Sequence, residues 1–254
     1  MHGMCGKLLF ASGASRYCSS SHRDLDRGSM STPVNPQLVS ENIHDLQDRL
    51  ARLSPDRDVR IVAVTKGFGV DAPRAALAAG ITMIGENYAQ ELVAKHEELS
   101  SEERERIEWH FLGRLQRNKV RSLVSIVSVW QSVDRVELID EIARRAPGAK
   151  VMIQLNLSEE PQKGGAPLSE GAALVAHARD LGLDVVGLMG VGTAGDAADS
   201  SVAFGTLVAL AEELGLPERS IGMSDDLEVA VGQGSTMVRV GTGLFGARAP
   251  RTGV

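Results

Sequence analysis

Cysteine is almost missing from this 254-residue chain: there are two, Cys5 and Cys18, both near the N-terminus. The rest of the chain therefore offers neither a disulfide framework nor thiolate metal ligands, as expected of a protein kept in a reducing, cytoplasmic setting. No metal site is predicted. Long apolar runs are also lacking. Without eighteen consecutive apolar residues, no membrane span is expected. Positive charge is in short supply as well: 27 Lys and Arg face 33 Asp and Glu, a net charge of −6. That balance excludes a broad phosphate-binding footprint for nucleic acid. What the chain has is bulk. At 43% hydrophobic it can bury a large core, and its length fits two small domains or one α/β barrel.

Residues 1–35 differ from the rest. They are rich in Ser and Gly and show no sustained periodicity, and "LLFA" is too short for the apolar stretch of a secretory signal. The lack of acidic residues before Asp24 is a transit-peptide trait. The preferred reading is a disordered tail, or a start assigned too early with Met30 as the true one. The fold is expected to begin near Pro36 and to occupy 36–254.

From there helical and strand patterns alternate. "PQLVSENIHDLQDRLARLS" carries Leu38, Ile43, Leu46, Leu50 and Leu53 near helical spacing, which predicts a leading helix. Strands are predicted at 60–65, "TMIGE", "IEWHFLG", "VSIVSVWQS", "KVMIQLNL", "LDVVGLMGV", "SIGMS" and "TMVRVG". Seven of these eight are followed by helical patterns. Such alternation builds a parallel sheet, and eight units in about 200 residues point to a closed (β/α)8 barrel, with a doubly wound open sheet as the alternative. The last strand has only about ten residues after it, so the leading helix is expected to fill the gap in the outer ring.

Two glycine motifs need sorting. "GVGTAG" (190–195) and "GTGLFG" (241–246) both fit G-x-G-x-x-G. The first lacks an acidic strand end about twenty residues on, and the second has no room for a following helix and strand, so the dinucleotide reading is set aside for both. A phosphate reading survives for the loops after the last two strands, "GMSDD" and "VRVGTG". Ser224 and Thr242 supply hydroxyls, and Gly241 and Gly243 allow close backbone approach. Ordinary turn chemistry is the competing explanation.

The strand ends are polar: Lys66, Glu86 with Asn87, His110, Ser132 with Asp134, Asn156, Ser224 and Arg239. In a barrel all of them face the rim that carries active sites. His110, between Trp109 and Phe111, has an ordinary reading as a core histidine, Glu86 as a structural partner and Asp134 as a helix N-cap. Lys66 is harder to dismiss. It ends the apolar strand "RIVAVTKG", and lysine is among the residues least often buried. A desolvated lysine has a lowered pKa and becomes a nucleophilic amine. An amine and a phosphate cradle on one rim suit a phosphorylated aldehyde: pyridoxal 5′-phosphate (PLP) held as a Schiff base, or else the substrate of a sugar-phosphate aldolase.

"AVTKG", "GENYAQE", "WHFLGRLQRNK", "QLNLSEEPQKGG", "GLMGVG" and "GMSDDLEVAVGQGSTMVRVGTGLFGAR", spread over about 36–250, resemble the YggS/PROSC family of PLP homeostasis proteins. The resemblance implies a barrel similar to that of alanine racemase, with an extra N-terminal helix and Lys66 as the Schiff-base residue. It further implies that Ser224, Gly241 and Thr242 hold the phosphate, that Arg239 approaches the pyridine nitrogen, and that Asn87 and Asn156 line the pocket. The family's proline-bearing segment after "GLM" is replaced here by "GVGTAGDAADS".

Alanine racemase-like enzymes add a β-rich domain that supplies a catalytic tyrosine. This chain ends at Val254, and its only tyrosines are Tyr17 and Tyr88. An arginine at the pyridine nitrogen also weakens the ring as an electron sink. The expected function is therefore PLP binding and intracellular PLP homeostasis without strong catalysis and with no catalytic residue assigned. A single-domain PLP-dependent amino-acid racemase is the alternative. PLP-dependent apoenzymes are the candidate recipients, and a monomer or weak dimer is expected.

Overall fold

The computed structural model describes residues 33–158, 164–192 and 197–248, all within one compact unit, Ser31–Val254. The predicted tail lies outside the described residues up to residue 32. Helix α1 (Pro36–Leu53) leads into β1 (Arg60–Val64), α2 (Asp71–Ala78), β2 (Met83–Glu86), α3 (Ala89–Glu98), α4 (Ser101–Arg106) and β3 (Glu108–Phe111). Then come α5 (Arg117–Leu123), β4 (Val129–Val133), α6 (Val136–Arg145), β5 (Lys150–Asn156), β6 (Ala166–Pro167), α7 (Gly171–Asp180) and β7 (Asp184–Val191). The chain continues through α8 (Ala197–Glu213), β8 (Glu218–Ser220), α9 (Leu227–Gly232), β9 (Met237–Val240) and α10 (Thr242–Phe245).

All pairings are parallel. The ring runs β1-β2-β3-β4-β5-β7-β8-β9 and closes where β9 pairs with β1, Ile61 against Val238. This is the predicted (β/α)8 barrel. β6 is a two-residue branch on β5. As expected, α1 packs on α2, α9 and α10, in the place where a helix after β9 would stand. Asn35 caps it by accepting from the Gln37 and Leu38 amides, and Asn42 Nδ2 donates to the Leu244 carbonyl at 3.0 Å.

Strand alternation splits the interior in two. Ile61, Ala63, Ile84, Trp109, Phe111, Trp130, Val151, Ile153, Leu155, Leu188, Val238 and Val240 face outward into one large apolar layer beneath the helices. The opposite parity faces the lumen, where Val129, Met152 and Met189 form a small separate cluster. Buried polar residues share these inward positions, among them His110, Gln131, Gln154, Ser220 and Arg239.

Besides β6 and α10, which the sequence patterns do not predict, three elements differ from expectation. The predicted "VSIVSVWQS" strand starts only at Val129, because the Ile126 and Val127 amides both donate to the Leu123 carbonyl and prolong the turn after α5. The predicted "SIGMS" strand lies earlier, at Glu218–Ser220. Gly222 takes φ +99 and its backbone packs so tightly that an added Cβ would sit 2.7 Å from the Ala230 methyl, so the chain leaves the ladder there. α4 went unpredicted because "SEERER" has no apolar face. It is held by a capping box in which Ser100 and Glu103 satisfy each other's amides.

Candidate functional site

The site lies where the strands end. Lys66 continues the inward parity of Val62 and Val64, two residues beyond Val64. Gly67 then reverses the chain with φ +79, a left-handed conformation that favours glycine, and its amide donates to Glu91 Oε2 at 2.7 Å. Phe68 packs on Phe245 with ring centroids 5.4 Å apart. That contact ties the loop after β1 to α10, and so brings Lys66 towards the Gly241–Gly243 turn.

The electrostatics around Lys66 are unusual for a lysine. Burial lowers its pKa most. The Arg248 and Arg239 guanidinium groups lower it further, and Glu86 opposes them. The amine is thus biased towards its neutral, nucleophilic form. Arg239 stands on β9, its side chain sealed in the lumen: Nη1 donates to Ser220 Oγ at 2.8 Å and Nη2 to the Gly190 carbonyl at 2.8 Å. Burial lowers its pKa to about 10, with Asp226 opposing, so it stays a cation at neutral pH.

The loops after β8 and β9 meet beside it. A Cβ on Gly243 would lie 3.3 Å from Ser224 Oγ, and one on Gly241 would come within 3.1 Å of the Val64 carbonyl oxygen. Ser224 and Gly243 line a cavity of about 210 Å³ that α1 closes with Asn42, Asp45 and Arg49. Thr242, exposed, opens the one-turn α10. The first amides of any helix lack intrahelical acceptors, which leaves donors at this corner.

Asn87 follows β2, and its position is fixed from behind. The chain at Gly113 packs so close that a Cβ would be 1.9 Å from the Asn87 carbonyl oxygen. Its side-chain Oδ1 is buried and has no hydrogen-bond partner among the described residues. Asn156, at the end of β5, accepts from the Ser158 amide and hydroxyl at 3.1 Å each, so this oxygen already holds the following turn.

The other polar strand ends take other roles. Glu86 turns outward to α3, where it pairs with buried Lys95 and accepts from Thr65 Oγ1 at 2.7 Å. Complete burial raises its carboxyl above the usual range, against the pull of Lys95 and Thr65. His110 sits inside the lumen, below the rim. Asp134 is not the cap of α6: Arg135 holds that position, and Asp134 pairs with it. Sequence reasoning missed Arg248, whose side chain crosses over Gly67 at the mouth, where an added Cβ would lie 3.2 Å from its Cδ. It stands at the end of the quoted "GLFGAR" but beyond the last strand, where strand-end reasoning does not reach. Part of the "GVGTAGDAADS" loop, 193–196, lies outside the described residues.

A lysine of lowered pKa at the mouth of a parallel barrel, with hydroxyls and free amides after the last two strands, defines a barrel of the alanine racemase type, and residues 34–249 match the family described as the N-terminal domain of alanine racemase. The pyridoxal phosphate homeostasis protein of Pseudomonas aeruginosa is 37% identical over 223 residues, covering 83% of this chain and 96% of that protein. Its counterpart from Bos taurus is 38% identical over 234 residues, covering 84% and 85%. The structure of PipY of Synechococcus elongatus with PLP bound superposes with a TM-score of 0.71 at 31% identity, covering 82% of this chain and 99% of PipY. The chain belongs to the family of pyridoxal phosphate homeostasis proteins.

Proposed function

We propose that this protein binds PLP as a Schiff base on Lys66 and takes part in intracellular PLP homeostasis without strong catalysis. The observation that carries this reading is Lys66 itself, a half-buried lysine whose amine is held towards its neutral form by burial and two guanidinium groups. Its relatives are named for PLP, and PipY has been seen with PLP bound.

The residues at the mouth fit the cofactor. Asn87 Oδ1, buried without a partner, is an acceptor awaiting a donor such as the ring hydroxyl. Ser224, Thr242 and the backbone at Gly241 surround a corner that suits the phosphate. Arg239 would stand by the pyridine nitrogen, and Asn156 would border the pocket through the turn it holds. When bound, PLP supplies an electron-accepting ring. Arg239 is a fixed cation with donors only, and a cation beside the pyridine nitrogen opposes its protonation. That makes the ring a poor acceptor and the protein a carrier.

The racemase reading needs proton donors and acceptors placed at the ring. Tyr88, the tyrosine within the described residues, is exposed before α3. The deciding experiment is PLP titration followed by absorbance, with amino-acid racemisation assayed beside free PLP. A Schiff-base band that is lost in Lys66→Ala, with racemisation no faster than free PLP, supports the carrier. Racemisation well above that control, lost with Lys66, supports the enzyme. PLP-dependent apoenzymes are the recipients this reading implies.

A further inference from the structure

We propose that Ser220, Gln131 and His110 are positioning residues that orient Arg239 at the cofactor mouth through one hydrogen-bond chain of fixed direction. The proposal rests on the reading above for what Arg239 faces.

Donor and acceptor chemistry sets the direction link by link. A guanidinium only donates. Arg239 Nη1 donates to the Ser220 carbonyl at 2.5 Å and to Ser220 Oγ at 2.8 Å. The Ser220 hydroxyl must therefore spend its single proton elsewhere, and it donates to Gln131 Oε1 at 2.7 Å. With Oε1 so engaged, the amide end of Gln131 faces His110, and Nε2 lies 2.6 Å from Nδ1. An amide nitrogen donates only, so Nδ1 accepts and the imidazole proton sits on Nε2. The permanent charge at the mouth thereby dictates the tautomer of a histidine three links away.

The placement is specific. Arg239, Ser220, Gln131 and His110 are 6%, 0%, 0% and 1% exposed and come from β9, β8, β4 and β3. β4 and β8 are not ring neighbours, so the Ser220–Gln131 link crosses the lumen. Barrel interiors are ordinarily filled with bulky aliphatic residues, as Val129, Met152 and Met189 do here. Buried polar groups destabilise unless satisfied, and within this set every link from Arg239 to His110 Nδ1 is a hydrogen bond, while His110 Nε2 at the far end has no hydrogen-bond partner among the described residues. At the far end, burial first and then Arg60 and Lys150 lower the His110 pKa to about 3. Glu108 Oε1 lies 3.7 Å from Nε2. Uncharged His110 keeps Nδ1 free to accept throughout the physiological range, so the chain is a lock.

The test uses the full-length protein. Nitrogen-15 NMR of the apoprotein is expected to show His110 as the neutral Nε2–H tautomer at pH 7. Gln131→Leu and Ser220→Ala should each weaken PLP binding by roughly tenfold, the scale of one lost hydrogen bond, and shift the pH midpoint of the Schiff-base absorbance. The double variant should cost no more than the larger single effect, as for residues that act as a unit. An Nδ1–H or charged His110 in the wild type overturns the proposal with no variant needed. So do single variants that lower the melting temperature yet leave PLP affinity and the pH midpoint within twofold. If Arg239→Met binds PLP as wild type does, the placement of Arg239 at the ring falls and takes the positioning role with it. A normal His110 tautomer would tell that failure apart from a failure of the chain.

Discussion

Arg239 Nη2 donates to the Gly190 carbonyl at 2.8 Å, so a guanidinium carried by the last barrel strand is tied to a strand two places away in the ring. Together with its bonds to Ser220, this anchors a buried cation beside Lys66 and makes the mouth electropositive from within. A dianionic phosphate and a nucleophilic amine both benefit from that field.

The phosphate corner separates PLP binding from general lysine reactivity. Ser224→Ala combined with Thr242→Ala removes two hydroxyl donors. Charge-assisted hydrogen bonds are worth roughly 1.5–3 kcal/mol each, so PLP binding should weaken by on the order of a hundredfold or more, and pyridoxal binding little. Gly241→Val should act likewise, because a side chain there meets the Val64 carbonyl. Parallel absorbance titrations with both ligands check this. Equal losses for the two would mean that these residues shape the pocket without holding phosphate.

Glu86 and Lys95 are a buried ion pair, with Lys95 Nζ also donating to the Thr65 carbonyl at 2.6 Å. The pair braces the residue just before Lys66. Lys95→Met strands the carboxylate and should cost about 3–5 kcal/mol of stability. Adding Glu86→Gln should recover much of that loss. Chemical denaturation of the single and double variants measures it, and a Lys95→Met loss under about 1 kcal/mol would contradict the buried-charge account.

His110 predicts an acid limb. Its folded pKa, about 3, lies below the unfolded value of about 6.5. The unfolded chain therefore takes up a proton that the folded chain refuses. The contribution is fully present above pH 6.5 and is lost as pH falls towards 3. Between pH 7 and pH 5 the loss should be about 2 kcal/mol. His110→Gln keeps an acceptor for Gln131 and removes the titration, so its unfolding free energy should fall less over that interval by about the same amount. Identical pH dependence in both proteins would contradict the burial of a neutral imidazole.

Much of this was legible in the sequence for a plain reason. In a barrel every other strand residue faces inward, so a polar residue on the inward parity of an apolar strand stands out. Lys66, Asn87, Asn156 and Arg239 were singled out as polar strand ends, which this parity explains, and the roles of the last three came from the family resemblance. Gln131 in "VWQSV" carried the same signal but sits mid-strand, where sequence reading looks for core. Its partner Ser220 lies across the lumen, and no spacing rule links residues 89 apart. Arg248 lies beyond the last strand, and only the fold brings it over Gly67. The start of the fold was legible from the α1 periodicity. Among the described residues the first tie to the barrel is the Val34 amide, which donates to Asp71 Oδ2 at 2.7 Å.

That tie sets the expectation for residues 1–29. They precede the first described contact and show no apolar periodicity. A chain beginning at Met30 should melt within about a degree of the full-length protein and bind PLP equally. A large drop in melting temperature would show that the segment contributes to the fold.

The central claim is that Lys66 carries the cofactor. The direct measurement is borohydride reduction of the PLP-loaded protein, followed by peptide mapping by mass spectrometry. The account predicts loss of the Schiff-base band and one pyridoxyl phosphate adduct, on Lys66, absent from Lys66→Ala. An adduct on another lysine at comparable yield, or an unchanged band in Lys66→Ala, would contradict it.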